Sequence, residues 1–236
     1  MKHRFFETFQ LILQVTKGLD DVKPGGDSFA AIIRVRLLHA AVRNRILKLA
    51  SQRPGYFDEK TFGVPINDLD SMQSLCAFTA DLLWVGLPRQ GVFVSKNEVN
   101  DLLALWRWVG YVIGAPCEVL ETPERAHAVM ESIMWEARKP SKNSKILVAN
   151  ALEALDGVSP VYASKSYWAA GGRWLNGPEL CDDLGIQKPS LYYTALIAGQ
   201  CWLFIVSSYL SYLSPSFDRW KIKVSQDKTS SSSHFL

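Results

Sequence analysis

The chain has no CxxC pair and no Cys/His cluster at metal-ligand spacing: its four cysteines, Cys76, Cys117, Cys181 and Cys201, are far apart. A structural zinc site built on such spacing is thereby excluded, and the four read as reduced, mostly buried thiols. GxGxxG, the P-loop, HExxH and the GxSxG elbow are also missing, so nucleotide use, zinc proteolysis and α/β-hydrolase chemistry have no footing. Charge of one sign is scarce. The 26 basic and 23 acidic residues leave only +3, which is no argument for nucleic acid as a partner. Strand signals are few, and no repeat of about 20–50 residues is visible, which excludes a solenoid.

What is present suits a globular chain with a large core: 236 residues, 48% hydrophobic and 21% charged, enough for one large domain or at most two. Eight Trp, eight Tyr and eleven Phe point to a membrane-surface life or a lipophilic pocket. The opening MKHRFFETFQLILQVTKG has the basic start and apolar run of a signal peptide. Arg4, Glu7 and Gln10 interrupt that run and no small-residue cleavage site follows, so an amphipathic helix is expected instead.

Helix start and stop signals recur along the chain, and the expectation is an all-α fold of seven to eight helices. The first runs from Arg4 to Lys17, ended by Gly18. Asp27 or Ser28 caps a long second helix, FAAIIRVRLLHAAVRNRILKLA, and Asn67 or Asp68 opens a third through Leu87. Ser95 and Glu98 form the capping box of a fourth that ends at Gly114. Pro123 starts the fifth, Ser141 the sixth up to Gly157, and Pro160 the seventh up to Gly171-Gly172. Residues 1–223 then form one domain, and 224–236, rich in serine, a disordered tail.

From Pro189 to Phe217 no residue is charged, over 29 positions, long enough to cross a hydrocarbon core of about 30 Å. Tyr192, Tyr193, Tyr209 and Tyr212 bracket the segment, and Arg219, Lys221 and Lys223 follow it, as in an aromatic belt with a basic flank. Ser190, Thr194, Gln200, Ser207, Ser208 and Ser211 make it less oily than most spans. A membrane-spanning or interfacial helix and a buried core helix both remain open.

In the second helix Arg36, His39 and Arg43 fall at i, i+3 and i+7 on one face, which Ile32 and Ile46 extend. Unpaired guanidinium groups cost several kcal/mol to bury, so an anionic partner is expected there. Protein carboxylates in an ion-pair network would serve. A porphyrin would serve as well, with imidazole as axial ligand of its iron and arginines on its propionates. Trp106, Trp108 and Tyr111 belong to a helix with an apolar period through Leu102, Leu103, Leu105, Val109 and Val112, so core packing is expected of them. Arg107 needs a partner, from Glu98, Asp101 or a haem propionate. His3, His127 and His234 lack ligand spacing and are assigned no role.

The string RVRLLHAAVR, Arg34 to Arg43, resembles the histidine motif of the haem-b rubber oxygenases, the latex-clearing proteins, and of the endoplasmic-reticulum-bound MpaB-type oxygenases. FGVPINDLDSMQSLCAFTADLLWVGL, EVNDLLALWRWVGYVIGAP and LNGPELCDDLGI resemble further blocks of that family, in the right order. The resemblance covers most of residues 1–220. It implies an all-α fold around haem b, with His39 as proximal iron ligand and Arg36 and Arg43 holding the haem and its surroundings. It also implies a distal side in which Arg4, Glu7 and Thr8 stand at the family's spacing ahead of the histidine. Members carry further helices before that Arg-x-x-x-Thr motif, so the chain resembles an N-terminally shortened relative. Glu7 stands where the best-known relative has lysine; a carboxylate there could accept a proton from an allylic carbon.

The function so implied is a haem-b oxygenase cleaving a double bond of an isoprenoid or other lipophilic chain with dioxygen, membrane-associated at the endoplasmic reticulum, the cytoplasm being the alternative. Two other readings stand beside it. One is a non-catalytic membrane-attached helical protein that kept the fold; the other is a haem protein that senses or carries without oxygenating.

Overall fold

In the computed structural model, residues 2–136, 139–158 and 162–232 are described, with side chains for 6–136, 139–158 and 162–224. Their regular structure is helical, with no strand among the described residues. The elements in order are α1 (Lys2–Val15), α2 (Asp27–Gln52), α3 (Glu59–Phe62), α4 (Asp68–Phe78), a π-helical turn (Leu82–Gly86) and α5 (Leu87–Arg89). Then come α6 (Lys96–Ile113), a 3-10 turn (Cys117–Leu120), α7 (Pro123–Glu136), α8 (Lys142–Leu155), α9 (Lys165–Asn176), α10 (Pro178–Asp183), α11 (Leu191–Leu213) and α12 (Pro215–Ser232). The all-α expectation holds. The segments outnumber the expected seven to eight because α3, α5 and α10 form as separate short pieces.

Where the signals are local, the helices start where the sequence says. Asn67 accepts from the Asp70 N–H while Asp70 accepts from the Asn67 N–H, and Ser95 and Glu98 do the same for α6. Gly114 closes α6 at φ +86°, a left-handed conformation that costs other residues about 1–2 kcal/mol. At Thr122 the hydroxyl accepts from the Arg125 N–H ahead of Pro123.

Several boundaries differ. The helix expected from 67 to 87 breaks at Thr79, whose buried hydroxyl donates to the Leu75 carbonyl at 2.6 Å, a bond that competes with the helical ladder. At the start of α2 neither Asp27 nor Ser28 is the cap. Gly26 is, with no side-chain bond, because a Cβ there would sit 2.2 Å from the Asp21 carbonyl oxygen. Ser28 instead donates to the Gln14 carbonyl at 2.8 Å and ties α2 to the end of α1. Pro160 lies outside the described residues; α9 is capped by Ser164 and runs past Gly171-Gly172 to Asn176. Helix α12 continues to Ser232, and residues 233–236 are outside the described part.

The chain divides into two compact units. One comprises residues 9–82 and 95–133. Its core joins Val15, Ile32, Leu75, Cys76, Trp106, Val109, Leu120 and Met130, all under 5% exposed. Trp106 stacks on Phe78 at 4.9 Å between ring centres, the core packing expected of it. Helix α6 approaches α4 so closely that a Cβ on Gly110 would meet Leu75 at 3.0 Å and Cys117 at 3.1 Å. The other unit comprises residues 1–8, 83–94 and 134–236. There Ala169, Cys181 and Ile186 form one small core and Ala170, Ile197 and Cys201 another.

Candidate functional site

The face of α2 that carries Arg36, His39 and Arg43 turns toward the C-terminal end of α6 and the loop ahead of α4. All three side chains line one hollow of about 150 Å³, together with Ala40, Ile66, Ser71, Ile113 and Gly114. A second hollow of about 700 Å³, in the size range of small-molecule pockets, shares the wall formed by Arg36 and Gly114. Phe29, Ile33, Trp108 and Tyr111 give it an apolar and aromatic lining, with Asp68 and Glu118 as acidic members. Trp108 is fixed by its indole N–H, which donates to the Val22 carbonyl at 2.8 Å, and it stacks on Tyr111 at 5.8 Å. Tyr111 itself is exposed, unlike the core residue expected.

Among the described residues the two arginines meet no carboxylate, so the ion-pair alternative is not what holds them. Arg36 Nη1 donates to the Val112 carbonyl at 3.0 Å, one of the carbonyls left unpaired at the end of α6, where a cation also complements the helix dipole. Its guanidinium lies flat against Gly114, where a Cβ would approach its carbon to 3.1 Å. Arg43 donates twice, from Nε to the Pro65 carbonyl at 3.0 Å and from Nη2 to the Ile66 carbonyl at 2.5 Å. Water explains why no acid is required: α2 is deeply buried only at Ser28, Ala31 and Ile32, so neither guanidinium is sealed from solvent. Arg107 is likewise exposed and needs none of its expected partners.

Ile66 has φ +55°, a conformation rare for a β-branched residue and found mostly where the surroundings over-determine it. Here Arg43 grips two successive carbonyls, and the Asn67 amide donates to the Phe62 carbonyl at 3.1 Å. The clamped loop presents Ile66 to the hollow beside His39. No sequence signal marks this residue, because neither its type nor its neighbours demand a positive φ. Gly114 is legible as a helix stop but not as the surface on which Arg36 rests.

His39 is half-buried. Burial first, and then the nearby Arg43 charge, hold its pKa below the ordinary 6.5. The ring is therefore neutral at pH 7, the state in which imidazole binds iron. No group of three or more His, Cys, Asp or Glu is arranged for a metal ion among the described residues. A lone neutral imidazole flanked by two guanidiniums fits a haem, whose macrocycle brings four ligands of its own and whose acidic edge takes cations. The donor chemistry therefore fits haem b, although the 150 Å³ at His39 is small for a whole macrocycle without the adjoining hollow.

Of the residues expected on the distal side, Glu7 and Thr8 are exposed on α1, and the Arg4 side chain lies outside the described residues. These three belong to the other compact unit, and neither hollow counts them in its lining. His127 lies 3.8 Å from Glu131, while the His3 side chain and His234 fall outside the described part.

Residues 1–204 match the family model for the ER-bound oxygenase mpaB/B'/rubber oxygenase catalytic domain. No curated protein and no solved structure matches the chain.

Proposed function

The chain belongs to the family of ER-bound mpaB/B'-type and rubber oxygenase catalytic domains, and from that premise we propose that it is a haem-b-dependent oxygenase that cleaves a carbon–carbon double bond of an isoprenoid or similarly lipophilic chain. The observation that carries this reading is the convergence of Arg36, His39 and Arg43 on one hollow, with no carboxylate among the described residues claiming either guanidinium. Both arginines keep donors free beyond their carbonyl bonds, since a guanidinium has five.

In this reading His39 would hold the iron and Arg36 and Arg43 the acidic edge of the haem. When bound, haem supplies the binding and activation of dioxygen. The chain's residues do the rest. Arg43 fixes the loop that carries Ile66 and keeps an apolar wall beside His39. The hollow lined by Phe29, Ile33, Trp108 and Tyr111 offers an apolar and aromatic wall to a lipophilic chain. Glu7, by its resemblance in spacing alone, is the proposed acceptor of an allylic proton; it is exposed on α1 and belongs to the other compact unit. Both atoms of one dioxygen leave as the oxygens of two carbonyl groups, which balances the cleavage without a further reductant. A membrane contact through 189–217 would place the site where lipophilic chains concentrate, at the endoplasmic reticulum as the family description has it.

Turnover of a prenylated substrate under ¹⁸O₂ tests the reaction. Label in the carbonyl oxygens of the cleavage products is expected; products that carry oxygen from water alone, or no cleavage by haem-loaded protein, would overturn the reading.

A further inference from the structure

Helix α11 is 23 residues long and apolar enough to cross a membrane, yet only 11% of its most apolar window is buried. Within its own unit the helix is thus only partly covered. What the structure adds is that the helix is two-sided. Tyr193, Ile197, Gln200, Cys201 and Ile205 recur at three- and four-residue spacing and face the rest of their unit. Ile197 and Cys201 pack on Ala170, Ile205 lies against Gly91, the Tyr167 hydroxyl bonds to Gln200, and the Ser164 hydroxyl to that of Tyr193 at 3.1 Å. On the other side Leu191, Trp202, Tyr209 and Leu213 form a line along the helix, 88%, 62%, 62% and 74% exposed. At 100° per residue these four fall within about 40° of one another, and Leu203 and Leu210 broaden the sector. No charged residue interrupts it.

A single-chain surface seldom leaves so large an apolar patch uncovered. We propose that this face of α11, continued by the exposed side chains at the start of α12, docks on an anionic lipid bilayer and lies in its interface without crossing it. The basic flank argues for lipid as the occupant. Arg219 and Lys223 are exposed on the first turns of α12, six and ten residues past Leu213, with Trp220 between them also exposed, the arrangement that meets anionic headgroups while aromatic rings sit at their level. The opposite face argues against crossing. A span needs hydrocarbon or membrane-embedded protein on every side, whereas α11 is backed by α9, which carries Lys165 in an ion pair with Glu153 at 2.8 Å and Arg173 paired with Asp182 at 2.7 Å. Helix α12 folds back as well: Lys221 donates to Ser211 at 2.6 Å and lies 3.7 Å from Asp218, so charges flank the last turn of α11. The inference rests on the membrane-contact reading and specifies its geometry.

The test uses the full chain in flotation with phosphatidylcholine vesicles, with and without phosphatidylserine, together with protease treatment of protein made in the presence of sealed microsomes. Expected are binding that strengthens with phosphatidylserine and weakens with salt, and no protease-protected fragment. Trp202→Glu with Leu203→Glu, folded by circular dichroism, should abolish flotation. Arg219→Gln and Lys223→Gln should each weaken binding to the anionic vesicles by about fivefold and leave neutral vesicles unchanged. Binding with a protected fragment would overturn the one-sided geometry while sparing membrane contact. No binding, or a concentration-dependent dimer that the Trp202→Glu/Leu203→Glu pair breaks, would overturn lipid as the occupant.

Discussion

Arg43 shows how a side chain beside a candidate site can act by holding backbone. Its two bonds to the Pro65 and Ile66 carbonyls keep a β-branched residue at positive φ, and each half-buried carbonyl left without a donor costs about 1–3 kcal/mol. Arg43→Ala should lose about that much stability in urea unfolding, and Arg43→Lys, which keeps the charge but not the fork, should recover only part of it. Full recovery by lysine would show that charge alone matters. Gly114→Ala should also destabilise, by about 1–2 kcal/mol for the left-handed backbone, with displacement of the Arg36 guanidinium added. Asp81 differs in sign. Burial raises its pKa above the ordinary 3.8, and no basic side chain pairs with it among the described residues. Its charge also helps push the neighbouring Cys76 thiol up to about 11, after burial itself. A carboxyl that holds its proton more tightly in the fold than in the unfolded chain makes stability fall as pH rises from 3.8 through the folded value. Asp81→Asn should therefore raise the melting temperature at pH 7, and the gain should shrink as pH is lowered toward 3.8; a gain independent of pH would rule out this origin.

At the scale of elements, the close crossing of α4 and α6 sets the register that brings Gly114 to Arg36. Gly110→Ala pits about 1 kcal/mol of helix propensity against overpacking of about 1–3 kcal/mol. Leu75 is 4% exposed and Cys117 is fixed by the 3-10 turn, so neither can yield; a lowered melting temperature is expected, and a raised one would mean that the crossing is loose. The same scale separates what the sequence discloses from what it hides. The start at Asn67 or Asp68, the box at Ser95, the stop at Gly114 and the shared face of Arg36, His39 and Arg43 are set by residues within a turn or two of one another, and all could be read directly; the reciprocal bonds of Asn67 and Asp70 emerge only in the structure. The carbonyls that Arg36 and Arg43 reach lie 76 and 22–23 positions away, and no periodicity predicts them. The break of α4 at Thr79 escaped for a related reason: threonine often sits inside helices, and only its burial makes its bond to Leu75 decisive.

For the molecule as a whole, the chain belongs to the oxygenase family and is all-α, and the proposed chemistry turns on one imidazole. His39 is half-buried, held neutral, and set between two guanidiniums whose own bonds go to backbone. If that arrangement serves a haem, its retention should depend on His39, since no group of three or more metal-binding side chains occurs among the described residues. The most direct measurement is the absorption spectrum and haem stoichiometry of the full chain produced with a haem supply, beside His39→Ala checked for folding by circular dichroism. The account predicts near-equimolar haem with a sharp Soret band in the parent, and a lost or shifted band in the variant. A folded parent without haem, or an identical spectrum in folded His39→Ala, would contradict it.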